Sequence, residues 1–222
     1  MVFFDVGDTL VERVDDPVAT VVRDLRAIGV EATGAALADA LAAMAHAYAS
    51  GVYAPSTLRG ERGLWRAMAH AALGRLPGGA RPRRVAALVA RLEGYPAHYR
   101  PVAGMPGLVA DLQAAGRPVG IISNWPPSLP RLLAALGYGG FRIVACSGPR
   151  RRTKPGPDLF RWALKAARVR PEAAWHVGND PQNDYGPASA LGMRAVLWDP
   201  GRRAGREYVR AGTAEELRAL LL

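Results

Sequence analysis

Apolar and polar positions divide the chain into three stretches of different period. Val2, Phe3 and Phe4 form an unbroken run of β-formers, as a central strand covered on both faces requires, and the run stops at Asp5. Asp5 is thus presented at a strand end, where open α/β sheets bind ligands, and Gly7 is read as letting the backbone turn sharply there. From about Asp16 to Arg100 the period becomes helical. Val18, Val21, Val22, Leu25 and Ile28 recur on one face, and Gly29 closes that helix. A second helix is predicted over Ala35 to Ala49, closed by Gly51 and Pro55; a third contains Leu64, Trp65, Met68, Ala69 and Ala72, and a fourth Val85, Leu88, Val89 and Leu92. The stretch Pro77 to Pro82 breaks the third from the fourth.

After Pro101 helices and strands alternate. Helices are predicted over Gly104 to Ala115, Ser128 to Leu136, Pro157 to Ala167, Tyr185 to Leu191 and Ala214 to Leu221. Strands are predicted over Pro118 to Ser123, Phe141 to Cys146, Ala173 to Val177 and Ala195 to Trp198. Such alternation means parallel strands with crossover helices, and the first strand must join them because alone it has no partner. The expected fold is therefore α/β, a doubly wound parallel sheet built from residues 1–15 and 101–222, with residues 16–100 inserted as a helical unit.

Composition narrows the function classes. The 222 residues are half apolar and carry one cysteine, Cys146, which excludes an internal disulfide or a cysteine-based metal cluster. No apolar run approaches the roughly 20 residues that span a bilayer, Asp5 and Asp8 break any cleavable leader, and the expected location is the cytoplasm. The net charge of +10 comes almost wholly from scattered arginines, so it predicts no nucleic-acid surface. The densest cluster, Arg150 to Arg152, is expected to form a basic rim for an anionic substrate. Tyr48, Tyr53, Arg59, Arg62 and Trp65 are either helix packing and solvated face or a wall turned to that substrate.

Three later segments can share one sheet edge with Asp5. Ser123 and Asn124 follow a buried strand and offer a hydroxyl and an amide to anionic oxygens, although Ser123 equally suits a turn cap. Lys154 sits in a loop stiffened by Pro155 and Pro157, one of only two lysines in an arginine-rich chain. A compact ammonium can approach a carboxylate and a substrate oxyanion together, where a guanidinium needs a wider site. The third segment, Gly178 to Asp184, supplies Asn179, Asp180 and Asp184. Their oxygens suit Mg²⁺, and they suit an Asx-rich helix cap as well. His176 reads as a packed core histidine.

These segments, in this order, resemble the four motifs of the haloacid-dehalogenase-like hydrolases. Asp5 to Leu10 is similar to the first motif, Ser123-Asn124 to the second, Lys154 with its prolines to the third and Gly178 to Asp184 to the fourth; the helical insertion looks like the family's cap. The resemblance implies that Asp5 is a nucleophile forming a covalent aspartyl intermediate. Ser123, Asn124 and Lys154 would bind the transferred group. In the phosphatase branch Asp5, the Gly7 carbonyl and Asn179, Asp180 or Asp184 would hold Mg²⁺. Two departures stand out. Gly7 occupies the position of the general acid/base aspartate, and Asn179 that of a metal-ligating aspartate.

Phosphate-ester hydrolysis with Mg²⁺ on a small anionic substrate is the first expectation. A metal-free 2-haloacid dehalogenase is the second, because a halide leaves without a proton. A catalytically silent binding module of the same fold is the third. Oligomeric state has no sequence signature here.

Overall fold

The computed structural model describes residues 1–51 and 56–222. Its centre is a six-stranded parallel sheet. The strands are β1 (Val2–Phe4), β4 (Val119–Ser123), β5 (Ile143–Cys146), β6 (Trp175–Gly178), β7 (Arg194–Trp198) and β8 (Arg210–Ala211), in the order β5-β4-β1-β6-β7-β8. β1 is central, with Phe4 beside Ile121 of β4 on one side and Val177 of β6 on the other. All three residues of β1 are fully buried, which accounts for the absence of any polar alternation in it.

Helices cover both faces. On one, α5 (Met105–Ala114), α6 (Leu129–Ala135) and α10 (Ala214–Leu221) pack Leu108, Leu132 and Leu217 against Val2, Phe4 and Ile121. On the other, α8 (Pro157–Ala167) and α9 (Gly186–Ala190) close over Phe3, Ile122 and Ala195, with α7 (Ser147–Arg150) between β5 and the Lys154 loop. The helical insertion has its own core. Helices α1 (Pro17–Ala27), α2 (Gly34–Gly51), α3 (Leu58–Leu73) and α4 (Pro82–Glu93) bury Leu25, Met44, Met68 and Leu88 among themselves. The chain enters and leaves this cap through a two-stranded antiparallel ribbon, β2 (Val11–Arg13) against β3 (Tyr99–Pro101), that the helical period did not announce.

Differences from the sequence reading have local causes. The left-handed residue of the first turn is Asp8, at φ +53°, and not Gly7. A Cβ at position 7 would meet the Trp125 ring at 3.5 Å, an ordinary van der Waals contact. Arg150 stacks on Trp162, with its guanidinium carbon 3.8 Å from the ring centroid, so it packs α7 onto α8 and does not line a substrate rim. Arg62 pairs with Glu93 on the cap surface. Tyr53 and Pro55 lie outside the described residues.

Candidate active site

Parallel strands deliver their C-terminal ends to one edge, and the register decides which residues meet there. The backbone N–H of Asp5 donates to the Val177 carbonyl at 2.8 Å, which fixes Asp5 beside Gly178 just past the end of β1. Ser123 ends β4 on the other side. Lys154 reaches in from the loop after α7, and its Nζ lies 2.6 Å from Asp5 Oδ1 and 2.5 Å from Asp184 Oδ1. All four residues are buried. The structure therefore brings Asp5, Ser123, Lys154 and Asp184 into one centre.

Two predicted site residues also have structural partners. Asn124 was expected to offer its amide to substrate, and it clamps the Lys154 backbone. Its Oδ1 accepts from Lys154 N–H at 2.8 Å and its Nδ2 donates to the Lys154 carbonyl at 2.9 Å. Asp180 was expected as a metal ligand, and it caps the turn Pro181–Tyr185. Its Oδ1 accepts from Gln182 N and Asn183 N, and its Oδ2 from Asn183 Nδ2. These bonds hold the Asp180 carboxyl below the usual carboxylate range.

His176, missed as a site residue, is both core and support. Its ring is fully buried and meets Phe160 edge-on at 5.1 Å, while Nε2 lies 3.0 Å from Asp184 Oδ1. Asp184 Oδ2 accepts from the Asp180 N–H at 3.2 Å. Gly178 makes room for this arrangement, since a Cβ there would fall 2.3 Å from Asp184 Cγ.

The charges follow from these contacts. Burial opposes ionisation of Asp184, but the His176 hydrogen bond and the Lys154 ammonium outweigh it and hold the carboxyl at about 2. Asp5 goes the other way. Burial, reinforced by the Asp184 charge, raises it against the pull of Lys154 and Ser123. Lys154 is opposed by burial and raised by its two carboxylates, so it stays an ammonium. The site thus holds an ionised carboxylate, Asp184, as counter-ion of Lys154, and a second carboxyl group, Asp5, whose ionisation burial opposes.

Among the described residues no three His, Cys, Asp or Glu side chains converge to hold a metal. The Gly7 carbonyl and Asn179, whose Oδ1 accepts from Thr9 Oγ1 at 3.4 Å, belong to the segments that follow the paired strand ends of β1 and β6. One carboxylate and two neutral oxygens fit Mg²⁺ as an ion that completes its octahedron with water and a bound phosphate.

A cavity of about 480 Å³ lies between the cap and the loop after β4; Asn124 lines it, and Asp5, Ser123 and Lys154 do not. The cap is docked over it by a buried carboxylate. Glu61 of α3 accepts from Ser128 N–H at 2.9 Å and from Ser128 Oγ at 2.5 Å, and Ser128 Oγ in turn meets Tyr95 Oη at 2.7 Å. Burial raises the Glu61 carboxyl. Periodicity had no means of flagging Glu61, because a glutamate in a helix ordinarily reads as solvated surface.

Comparison with known proteins agrees with this geometry. A family profile described as haloacid dehalogenase-like hydrolase matches residues 1–192. The chain is 39% identical over 97 residues to a phosphoserine phosphatase of Thermus thermophilus, covering 43% of this chain and 39% of that protein. It is 30% identical over 104 residues to the human haloacid dehalogenase-like hydrolase domain-containing protein 3, covering 46% and 41%. These matches span about two fifths of the relatives' length. In three dimensions the chain resembles a HAD phosphatase from Thermococcus onnurineus (TM-score 0.70, 20% identity, 99% and 96% covered). It also resembles a 2-haloacid dehalogenase from Pseudomonas syringae (TM-score 0.71, 22% identity, 99% and 96% covered). With the sheet order, the inserted cap and the profile match in agreement, the chain belongs to the haloacid dehalogenase-like hydrolases.

Proposed function

We propose that this hydrolase cleaves a small phosphate ester by transferring the phosphoryl group to Asp5. The observation that supports the reading most directly is the buried Lys154 ammonium, 2.6 Å from Asp5 Oδ1 and 2.5 Å from Asp184 Oδ1. A carboxylate oxygen of Asp5 attacks phosphorus in line, the ester P–O bond breaks, and its electron pair leaves with the ester oxygen. Lys154 offsets charge on the transferred oxygens at a point where water is excluded, and Ser123 donates to the same group. Asp184 and His176 keep the ammonium aimed, and Asn124 holds its backbone. Water then attacks the aspartyl phosphate, releasing inorganic phosphate and restoring the Asp5 carboxylate. When bound, Mg²⁺ held by Asp5, the Gly7 carbonyl and Asn179 supplies charge neutralisation on the phosphate oxygens. A cytoplasmic location suits such a substrate, and among the described residues no helix is long and apolar enough to cross a membrane.

A metal-free dehalogenase is the second reading, favoured by the neutral Asn179 and by Gly7. The arginines lining the cavity weigh against it, because both are already paired, Arg13 with Asp15 and Arg91 with Asp24, and neither is left for a substrate carboxylate. The test is phosphate release from a panel of phosphate monoesters, with Mg²⁺ and with chelator, alongside halide release from 2-haloacids. The expected result is phosphate release that Asp5→Asn abolishes in a folded protein. Chelator-insensitive halide release with no phosphate release would replace this reading with the second.

A further inference from the structure

The cavity under the cap, which meets the reacting centre only through Asn124 and Trp125, has aromatic walls. Val21, Met44, Trp65 and Met68 come from the cap, Tyr99 from the ribbon and Trp125 from the core loop. Trp65, Tyr95, Tyr99 and Trp125 form a chain of rings with successive centroids 6.0, 6.1 and 5.6 Å apart in tilted and edge-on geometry, so both faces and edges are offered to a guest ring. A cavity of about 150 Å³ holds one benzene. This one, at about 480 Å³, has room for a substituted or bicyclic ring.

The cations in the wall are paired, with Asp15 shared by Arg13, Arg23 and His98. Arg91 lies 2.7 Å from Asp24, His98 lies 2.9 Å from Asp15, and Arg13 lies 3.3 Å from the same carboxylate. A leaving group rich in hydroxyl or ammonium groups would be desolvated there against partners already engaged. Trp125 ties this cavity to the reacting centre. It follows Asn124, which grips Lys154, and its ring edge lies 3.5 Å from where a Cβ at Gly7 would stand.

Position 7 supplies the second, independent observation. No side chain at Gly7 can protonate a departing oxygen. Asp8, the next residue, is exposed, and His98 is paired with Asp15; among the described residues neither is hydrogen-bonded to Asp5, Ser123 or Lys154. An alkoxide, with a conjugate acid near the ~15.7 of water, leaves poorly without a proton, whereas a phenolate, with a conjugate acid near ~10, leaves on its own.

We propose that the substrate is an aryl phosphate, whose ring fills the cavity under the cap and whose phenolate oxygen departs without a proton donor at position 7. This rests on the phosphatase reading above. Phosphorus passes from the phenolic oxygen to Asp5, the phenolate keeps the electron pair of the broken P–O bond, and it takes its proton from solvent.

The experiment compares phenyl and 1-naphthyl phosphate with ethyl and glycerol phosphate on the full chain. General acid catalysis is worth about 10²–10⁴-fold, so kcat/KM for aryl esters is expected to exceed that for alkyl esters by about 10²-fold or more. Gly7→Asp is expected to raise alkyl turnover at least about 10-fold and narrow the ratio. Leu41→Trp and, separately, Ala45→Trp project into the cavity from α2 and are expected to lower kcat/KM for naphthyl phosphate about 10-fold relative to acetyl phosphate, which has a good leaving group and no ring. Calorimetry with phenylphosphonate and ethylphosphonate reads the cavity without turnover, and phenylphosphonate is expected to bind about 10-fold tighter. Comparable turnover of alkyl and aryl esters, or equal binding of the two phosphonates, overturns this inference and leaves the phosphatase reading standing. Phosphate release from no ester at all overturns both.

Discussion

Asp184→Asn is the perturbation whose consequences follow most directly from the geometry. Asp184 Oδ1 accepts from both Lys154 Nζ and His176 Nε2, and Oδ2 accepts from the Asp180 N–H. An asparagine must point its NH₂ toward one of these donors in either orientation, so at least one buried donor–donor contact replaces a charge-assisted bond. Hydrogen bonds to charged groups are worth about 1.5–3 kcal/mol. Linkage gives a separate measure. Lowering the carboxyl from 3.8 to about 2 corresponds to about 2 kcal/mol of folding stability. The sign is that of a depressed acid: the increment is complete above the unfolded value of 3.8 and is lost as pH falls through about 2, with about half gone by pH 3. Urea unfolding at pH 7 is therefore expected to show Asp184→Asn less stable by about 2–3 kcal/mol, with the gap to wild type shrinking by about 1 kcal/mol at pH 3. A variant within about 0.5 kcal/mol of wild type at pH 7, or a gap that does not shrink in acid, would refute the assignment of Asp184 as the buried counter-ion of Lys154.

Three further outcomes are expected. Gly178→Ala would push its methyl into Asp184, and it should cost about 1–3 kcal/mol in thermal or urea unfolding together with most of the activity. Glu61→Ala leaves the Ser128 N–H without its acceptor, so it should destabilise by about 1–3 kcal/mol and raise KM more than it lowers kcat, because it loosens the cap and not the nucleophile. The reactive form of Asp5 is the carboxylate and burial raises its pKa, so the acid limb of kcat/KM should fall at a pH above the 3.8 of an ordinary aspartate. Activity that stays flat down to pH 4 in folded protein would contradict that assignment.

Much of this architecture is written in local pattern, and the parts that are not depend on distant pairing. Val2 to Phe4 could only be a covered strand, and the final helix, with Thr213 as its cap, begins and ends as the 3.6 period predicts. The ribbon of Val11–Arg13 and Tyr99–Pro101 was invisible because three residues cannot display alternation and their partners lie far apart in the chain. The meeting of Asp5, Ser123, Lys154 and Asp184 was legible because parallel strands and the loops after them converge on one sheet edge. The backbone contacts of Asn124 and Asp180 were not legible in the sequence, for a common reason. Amides and short carboxylates satisfy nearby backbone groups as readily as they bind ligands, and only geometry separates the two uses.

The central place of β1 has a consequence for how the protein is made. Val2 must wait for Val119 and then for Trp175 before both of its edges are occupied. At translation rates of about 5–20 residues per second, that is roughly 10–30 s during which three fully apolar residues have no sheet to enter. The helices of the cap, whose contacts are close in sequence, can assemble in that interval. Nascent chains stalled before residue 175 should therefore display a folded helical domain beside a sticky N-terminal segment, the form in which this protein is most exposed to aggregation and to chaperones.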